Sequence, residues 1–247
     1  MAHAELGAFA QGIALGEEGL RIAEAVAHPW SLMFVYHGVG LLLLGQGDVR
    51  QALPRLERAV RICQEADLLY WYPRMAAALG AGYTLVGRMA DAMPLLTQAM
   101  AQSLAMGSGQ FEVLCGLWLG EAQMLTGRLE EAYALADRTL EHARRRQERS
   151  NQAYAMRLLG DIVAHRDPPE SEQSEAHYQH ALTLAEELGM LPLQAHCHRG
   201  LGMLYAMTGQ WEQARTALST AIALYRDMAM TFWLPQTEAA LAQVEGR

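Results

Sequence analysis

Lysine is missing altogether: all 19 basic residues of this 247-residue chain are arginine. That excludes a phosphate-cradling loop ending in Lys-Ser/Thr, a lysine Schiff base and a catalytic lysine. Asparagine occurs once, at Asn151. Cysteine is nearly as scarce. Cys63, Cys115 and Cys197 lie far apart in apolar, helical surroundings without paired spacing. They form no disulfide framework and read as buried thiols of a reducing compartment, for which cytoplasm is the expectation. No run approaches the roughly 18–20 apolar residues that cross a bilayer, and the start of the chain has no basic, apolar, small-residue targeting pattern. The expectation is a soluble, unexported chain with no membrane partner. Basic excess is absent too. The net charge is −8, with 7 Arg against 11 acids in residues 1–124 and 12 against 16 in 125–247, so no basic face for nucleic acid is implied.

What the chain does have is apolar material, 51% of its residues, with only 8 prolines to interrupt helices. It also has a rhythm. Gly40, Gly80, Gly120, Gly160 and Gly202 are separated by 40, 40, 40 and 42 residues. A fixed period means a stack of similar units. Seven residues on come Gly47, Gly87, Gly127 and Gly209, and twelve on come Ala52, Ala92, Ala132 and Ala214. Ala59, Ala99 and Ala221 follow, with Thr139 in that slot of the third unit. Ala181 is displaced by two, which places an insertion at Asp167-Pro168-Pro169.

Within one unit, apolar residues recur at helical spacing from Trp71 to Val86, Gly87-Arg88 breaks the pattern, and a second run spans Ala90 to Met106 before Gly107-Ser108-Gly109. Asp91 falls in the second helix's first turn, where an acid suits the dipole. Each unit therefore reads as two antiparallel helices. The first-helix glycine and the second-helix alanines are placed at the closest crossing, and the later glycines in turns that need a positive φ.

The small residue, the large apolar one three later (Leu43, Tyr83, Tyr205), the turn glycine, then Ala52, Leu56 and Ala59 resemble the tetratricopeptide repeat over nearly the whole chain. The period of about 40 instead of 34, Gln123 in an aromatic slot and Asp167 in place of a turn glycine depart from that family's pattern. The resemblance implies an all-α, right-handed α-solenoid of about six helix-turn-helix repeats and roughly twelve helices, forming one domain over 1–247. Its units would be a partial repeat at 1–27, repeats at about 28–68, 69–108, 109–148, 149–189 and 190–229, and a terminal helix at 231–245. Gly7 and Arg21-Ile22 lie 40 before Gly47 and Arg61-Ile62, so the chain starts inside a repeat, as a piece of a longer protein would. The open first repeat offers a route to self-pairing.

A closer similarity lies in Arg157-Leu158-Leu159-Gly160-Asp161, the Asp167-Pro168-Pro169 insertion, Ala176-His177-Tyr178, Ala185-Glu186-Glu187-Leu188-Gly189 and Ala195-His196-Cys197-His198. These resemble the C-terminal repeat region of large bacterial signalling proteins that join a class III nucleotide cyclase, an ATPase module and a helical-repeat tail. The chain carries neither the cyclase's acidic metal motifs nor a phosphate loop, so neither activity passes to it.

The resemblance also implies that first helices line a concave groove. Counting from each glycine places Phe34 and His37, Arg74, Trp118 and Glu121, Tyr154, Arg157 and Asp161, and His196, Arg199 and Met203 there as partner-binding candidates, or as fillers between helices. Some members of that family clamp a terminal carboxylate with lysine and asparagine. That clamp is absent here, and Arg157 and Arg199, in equivalent slots of adjacent units, are able to present forked donors instead, or to pair with Asp161.

Other patterns read as structure. Trp30, Tyr70-Trp71-Tyr72, Phe111 and Phe232-Trp233 stand where first helices begin, as apolar plugs between repeats or, alternatively, an aromatic pocket. His177, His180, His196 and His198 lack convergent spacing for zinc. Arg144-Arg145-Arg146 with Arg149 suits a solvated helix end beside Glu141 and Glu148. The expectation is a noncatalytic interaction module, without cofactor or metal, that binds a protein, a peptide or another domain of its parent. A small-molecule sensor with a closed apolar pocket and a homotypic scaffold are the alternatives.

Overall fold

The computed structural model describes residues 2–107 and 109–247; Ser108, in the predicted loop, lies outside them. Every regular element among the described residues is helical. In order these are α1 (Ala2–Glu5), α2 (Phe9–Val26), α3 (Pro29–Gln46), α4 (Val49–Glu65), α5 (Tyr72–Leu85), α6 (Met89–Ala105) and α7 (Gly109–Leu125). They continue as α8 (Leu129–Arg145), α9 (Arg149–Ala164), α10 (Ser171–Glu187), α11 (Leu191–Met207), α12 (Trp211–Asp227) and α13 (Leu234–Glu245). A 3-10 turn, Leu69–Trp71, leads into α5. The class is all-α, of the helical-repeat or α-solenoid kind, and the helix pairs keep the forty-residue step. No described helix is long and apolar enough to cross a membrane.

Packing divides the chain into two compact units. One comprises Met1–Ala4 and Ala8–Arg128, the other Glu5–Gly7 and Leu129–Arg247. In the first, α2 packs on α3, α3 pairs with α4, and α5 pairs with α6. In the second, α9 pairs with α10 and α11 with α12, and α13 lies against α12. The last helix starts at Leu234, not Thr231: Pro235 occupies its first turn, and residues 231–233 form a turn.

The periodic glycines mark where a second helix presses on a first. A Cβ at Gly40 would lie 2.7 Å from Leu56, at Gly80 2.5 Å from Leu96, at Gly202 2.6 Å from Leu218, and at Gly160 3.0 Å from Tyr178. The partner stands sixteen residues downstream in three units and eighteen in the fourth, the two-residue excess expected from the insertion. The sequence pattern pointed to alanine at this crossing, but the residue against the glycine is the leucine or tyrosine. Ala52, Ala59, Ala92, Ala99, Ala132, Ala214 and Ala221 are fully buried to either side of it along the second helices. Two buried hydroxyls bond to backbone carbonyls. Ser174 Oγ donates to the Gly160 carbonyl at 2.9 Å, and Thr139 Oγ1 to that of Leu135 at 2.8 Å.

Gly47, Gly87, Gly127 and Gly209 all adopt positive φ, between 74° and 93°, where a side chain is strained. A second periodic set ends the second helices: Ala27, Asp67, Gly107, Gln147, Gly189 and Ala229 are also left-handed, at φ from 53° to 67°. Only two of these are glycine, which is why composition does not reveal the set.

All three thiols are buried. Burial pushes Cys63 up to about 11 and Cys115 and Cys197 up to about 12, so none is a thiolate near neutrality. An aromatic disulfide reagent at pH 8 is expected to label no cysteine in the native protein and all three in denaturant. Rapid native labelling would contradict the buried placement.

Candidate functional site

The second compact unit carries six of the sequence-selected residues on two of its first helices. Tyr154, Arg157 and Asp161 recur three and four apart on α9, and His196, Arg199 and Met203 repeat that spacing on α11, so each set follows one stripe of its helix. Arg157 and Asp161 form a largely buried ion pair through Nη1 and Oδ2. Asp161 Oδ1 accepts a 2.5 Å hydrogen bond from the Tyr178 hydroxyl.

Tyr178 comes from the second helix α10 and reaches this face for a steric reason. A Cβ at Gly160 would lie 3.0 Å from its ring and one at Gly200 2.5 Å, so glycines on α9 and α11 leave the passage its ring fills. Burial and the Asp161 carboxylate hold its hydroxyl well above the ordinary tyrosine range, so it stays a proton donor.

His196 Nδ1 lies 2.8 Å from the Tyr225 hydroxyl, and its ring centroid 4.8 Å from that of Trp233. Burial first, then the Arg157 and Arg199 charges, hold His196 well below its ordinary range, so the imidazole is neutral. Arg199, half-buried, donates one long bond of 3.4 Å to Gln236 Oε1. Tyr154 donates at 3.0 Å to Glu5 Oε2, and burial raises the pKa of both groups. Met203, 41% exposed, stands one turn beyond Arg199.

Sequence reasoning confined to first helices misses Tyr178 and Tyr225. Tyr178 had a readable signal: it stands where sister units carry Leu56, Leu96 and Leu218.

In the first unit Phe34 and Trp71 pack edge to face with centroids 4.8 Å apart, and Trp30, Tyr70 and Phe111 extend the cluster. Phe111 is fully buried, as a plug would be, whereas Trp30 and Tyr70 are 46% and 51% exposed. His37 is buried on α3, and Arg74, half-buried on α5, is close enough for its charge to act on it. Trp118 and Glu121 are both half-buried on α7. Trp118 stands two residues before its glycine, one position off the phase of His37, Arg157 and Arg199, and therefore about 100° round the helix from their stripe.

The remaining clusters resolve into ordinary pairings. His196 faces Tyr225, whereas His198, two residues on, lines a different groove with Gln179, Tyr205 and Glu212. No group of three or more metal-ligating side chains converges among the described residues. Arg144 pairs with Glu141, Arg146 with Glu148 and Arg149 with Glu187, exposed ion pairs of small individual weight.

Residues 170–227 match a tetratricopeptide repeat model. The segment spans α10 to α12, which includes Tyr178, His196, Arg199 and Tyr225. Solved structures share the helical fold. BtubC from P. vanneervenii is 19% identical with a TM-score of 0.59, over 90% of this chain and 92% of that one. A Rap protein complexed with competence and sporulation factor is 16% identical with a TM-score of 0.70, over 88% of this chain and 63% of that one. NprR in complex with its cognate peptide NprX is 17% identical with a TM-score of 0.72, over 94% of this chain and 67% of that one. These likenesses establish the fold. No curated protein matches the sequence.

Proposed function

We propose that the chain is a noncatalytic interaction module that binds a peptide or a partner domain along the first-helix face, and that it regulates an output activity attached to it in a longer bacterial signalling protein. The carrying observation is the pair Arg157 and Arg199. They occupy the same slot of consecutive first helices, both half-buried or more, in a setting of Tyr154, His196, Tyr225 and Trp233. Arginine and large aromatics dominate binding energy at interfaces, and a planar guanidinium matches a carboxylate with two donors. Arg199, held by one long bond to a neutral amide, keeps donors for such a group. Two of the similar solved structures contain a bound factor or peptide, which favours a peptide ligand for this face. A ligand that prefers one arrangement of the repeats would shift the parent's conformational population by its differential affinity.

Selection from a displayed peptide library should yield binders whose affinity, measured by calorimetry, falls at least about tenfold in Arg157→Ala/Arg199→Ala. Equal affinity for the double variant, with its helicity intact, would reject this choice of contact residues.

A further inference from the structure

Helix α2 has two apolar faces, and α3 covers one of them. Phe9, Gly12, Leu20 and Ala23 are buried there, and a Cβ at Gly16 would lie 2.6 Å from Val39. About 100° round the helix stand Leu15, Ile22 and Val26, at i, i+7 and i+11, so they share one stripe roughly 16 Å long. They are 59%, 52% and 66% exposed.

One unit on, the same phase is covered. Forty residues later it reads Arg55, Ile62 and Ala66 on α4, where Ile62 is 4% exposed, Ala66 is half-buried and Arg55 reaches Glu17 of α2 at 2.6 Å. The open stripe on α2 is therefore a stacking surface of the repeat, not a scatter of apolar surface residues.

Charge selects the occupant. Glu18 and Arg21 border the stripe on one flank, paired with each other at 2.6 Å and both well exposed, and Ala14 and Ala25 keep that flank low. An acid and a base in this order are matched by a surface that presents them in reverse. A second α2 running antiparallel does so. With a two-fold axis at Glu18-Gly19, Leu15 of one copy opposes Ile22 of the other, and Glu18 and Arg21 of each copy fall on the same flank as Arg21 and Glu18 of its mate. Two reciprocal ion pairs then edge the apolar seam, as flanking charges do between paired helices.

We propose that α2 is a homodimer contact, in which Leu15, Ile22 and Val26 pack on the same stripe of a second copy about a two-fold axis. Such a contact is isologous and closes at two copies. Two helix faces bury less than the roughly 1,200 Å² of a stable interface, so the dimer should dissociate on the order of tens of micromolar. The inference does not use the peptide-binding face, and either can fail alone.

Sedimentation velocity of the full chain, run between about 5 and 500 µM, should show monomer passing to dimer and nothing larger. Ile22→Asp should stay monomeric throughout. Glu18→Arg and Arg21→Glu should each self-associate at least tenfold more weakly at low salt, because like charges then meet across the axis. An equimolar mixture of these two variants should regain the dimer, since every cross-pair is again unlike. A chain that stays monomeric, growth beyond two copies, or a dimer unchanged by Ile22→Asp overturns the proposal. So does a mixture that associates no better than either variant alone, and these two exposed substitutions keep the test decisive even where Ile22→Asp loses helicity.

Discussion

Phe111→Ala is expected to lower stability by about 3–5 kcal/mol, the usual result of emptying an aromatic site that is fully buried. Transfer of the ring to water accounts for part of this, and the cavity left between neighbours that relax incompletely for the rest. Tyr70 and Trp71 pack on that ring with centroids at 5.5 and 5.7 Å, so the rest of the aromatic cluster loses its support as well. The melting midpoint should fall by roughly 6–20 °C for a chain of this size. Trp30→Ala removes a larger side chain yet should cost below about 1 kcal/mol, because Trp30 is 46% exposed at the edge of the same cluster. The reverse order of effects would show that the cluster is packed the other way round.

Gly80→Val should be the next most damaging change. Its Cβ would fall 2.5 Å from Leu96 Cγ, and the other side-chain atoms have nowhere to go without parting α5 from α6. Overpacking of this kind costs about 1–3 kcal/mol, which outweighs the few tenths that valine gains over glycine in helix propensity. The cause is testable by coupling. Leu96→Ala alone should cost about 2–5 kcal/mol, and the double variant should cost less than the sum of the two, because alanine makes room for the valine. Additive losses would mean that the glycine does not receive Leu96. Gly87→Ala makes a useful contrast: nothing lies within 4 Å of its Cβ, and the expected penalty comes from its φ of 74° alone.

The repeat was legible because its markers are small residues under steric constraint. Gly40, Gly80 and Gly202 are each pressed by a leucine, and Gly47, Gly87, Gly127 and Gly209 each sit in a left-handed turn, so substitution is penalised at both sets. Their spacing gives the hairpins to within a few residues. The turns that close each second helix were illegible for the opposite reason: Ala27, Asp67, Gln147 and Ala229 carry the same backbone strain without the residue that advertises it.

The candidate site was half visible. Helical spacing from the glycines finds Tyr154, Arg157, Asp161, His196 and Arg199, because residues three and four apart share a face. It does not find Tyr178, whose ring crosses from the second helix through gaps at Gly160 and Gly200, nor Tyr225, which meets His196 from α12. Those contacts depend on three-dimensional clearance between helices, not on position along one of them. Trp118 illustrates the limit of counting: one residue off phase turns it off the stripe that carries His37, Arg157 and Arg199.

Photo-crosslinking locates the ligand directly. A library-selected peptide carrying a benzophenone side chain, irradiated on the full chain and digested for mass spectrometry, should attach at Tyr154, Arg157, His196 or Arg199. Attachment instead at Gln179, Glu212 or Thr216, around the 450 Å³ groove lined from α10, α11 and α12, would contradict binding on the first-helix face.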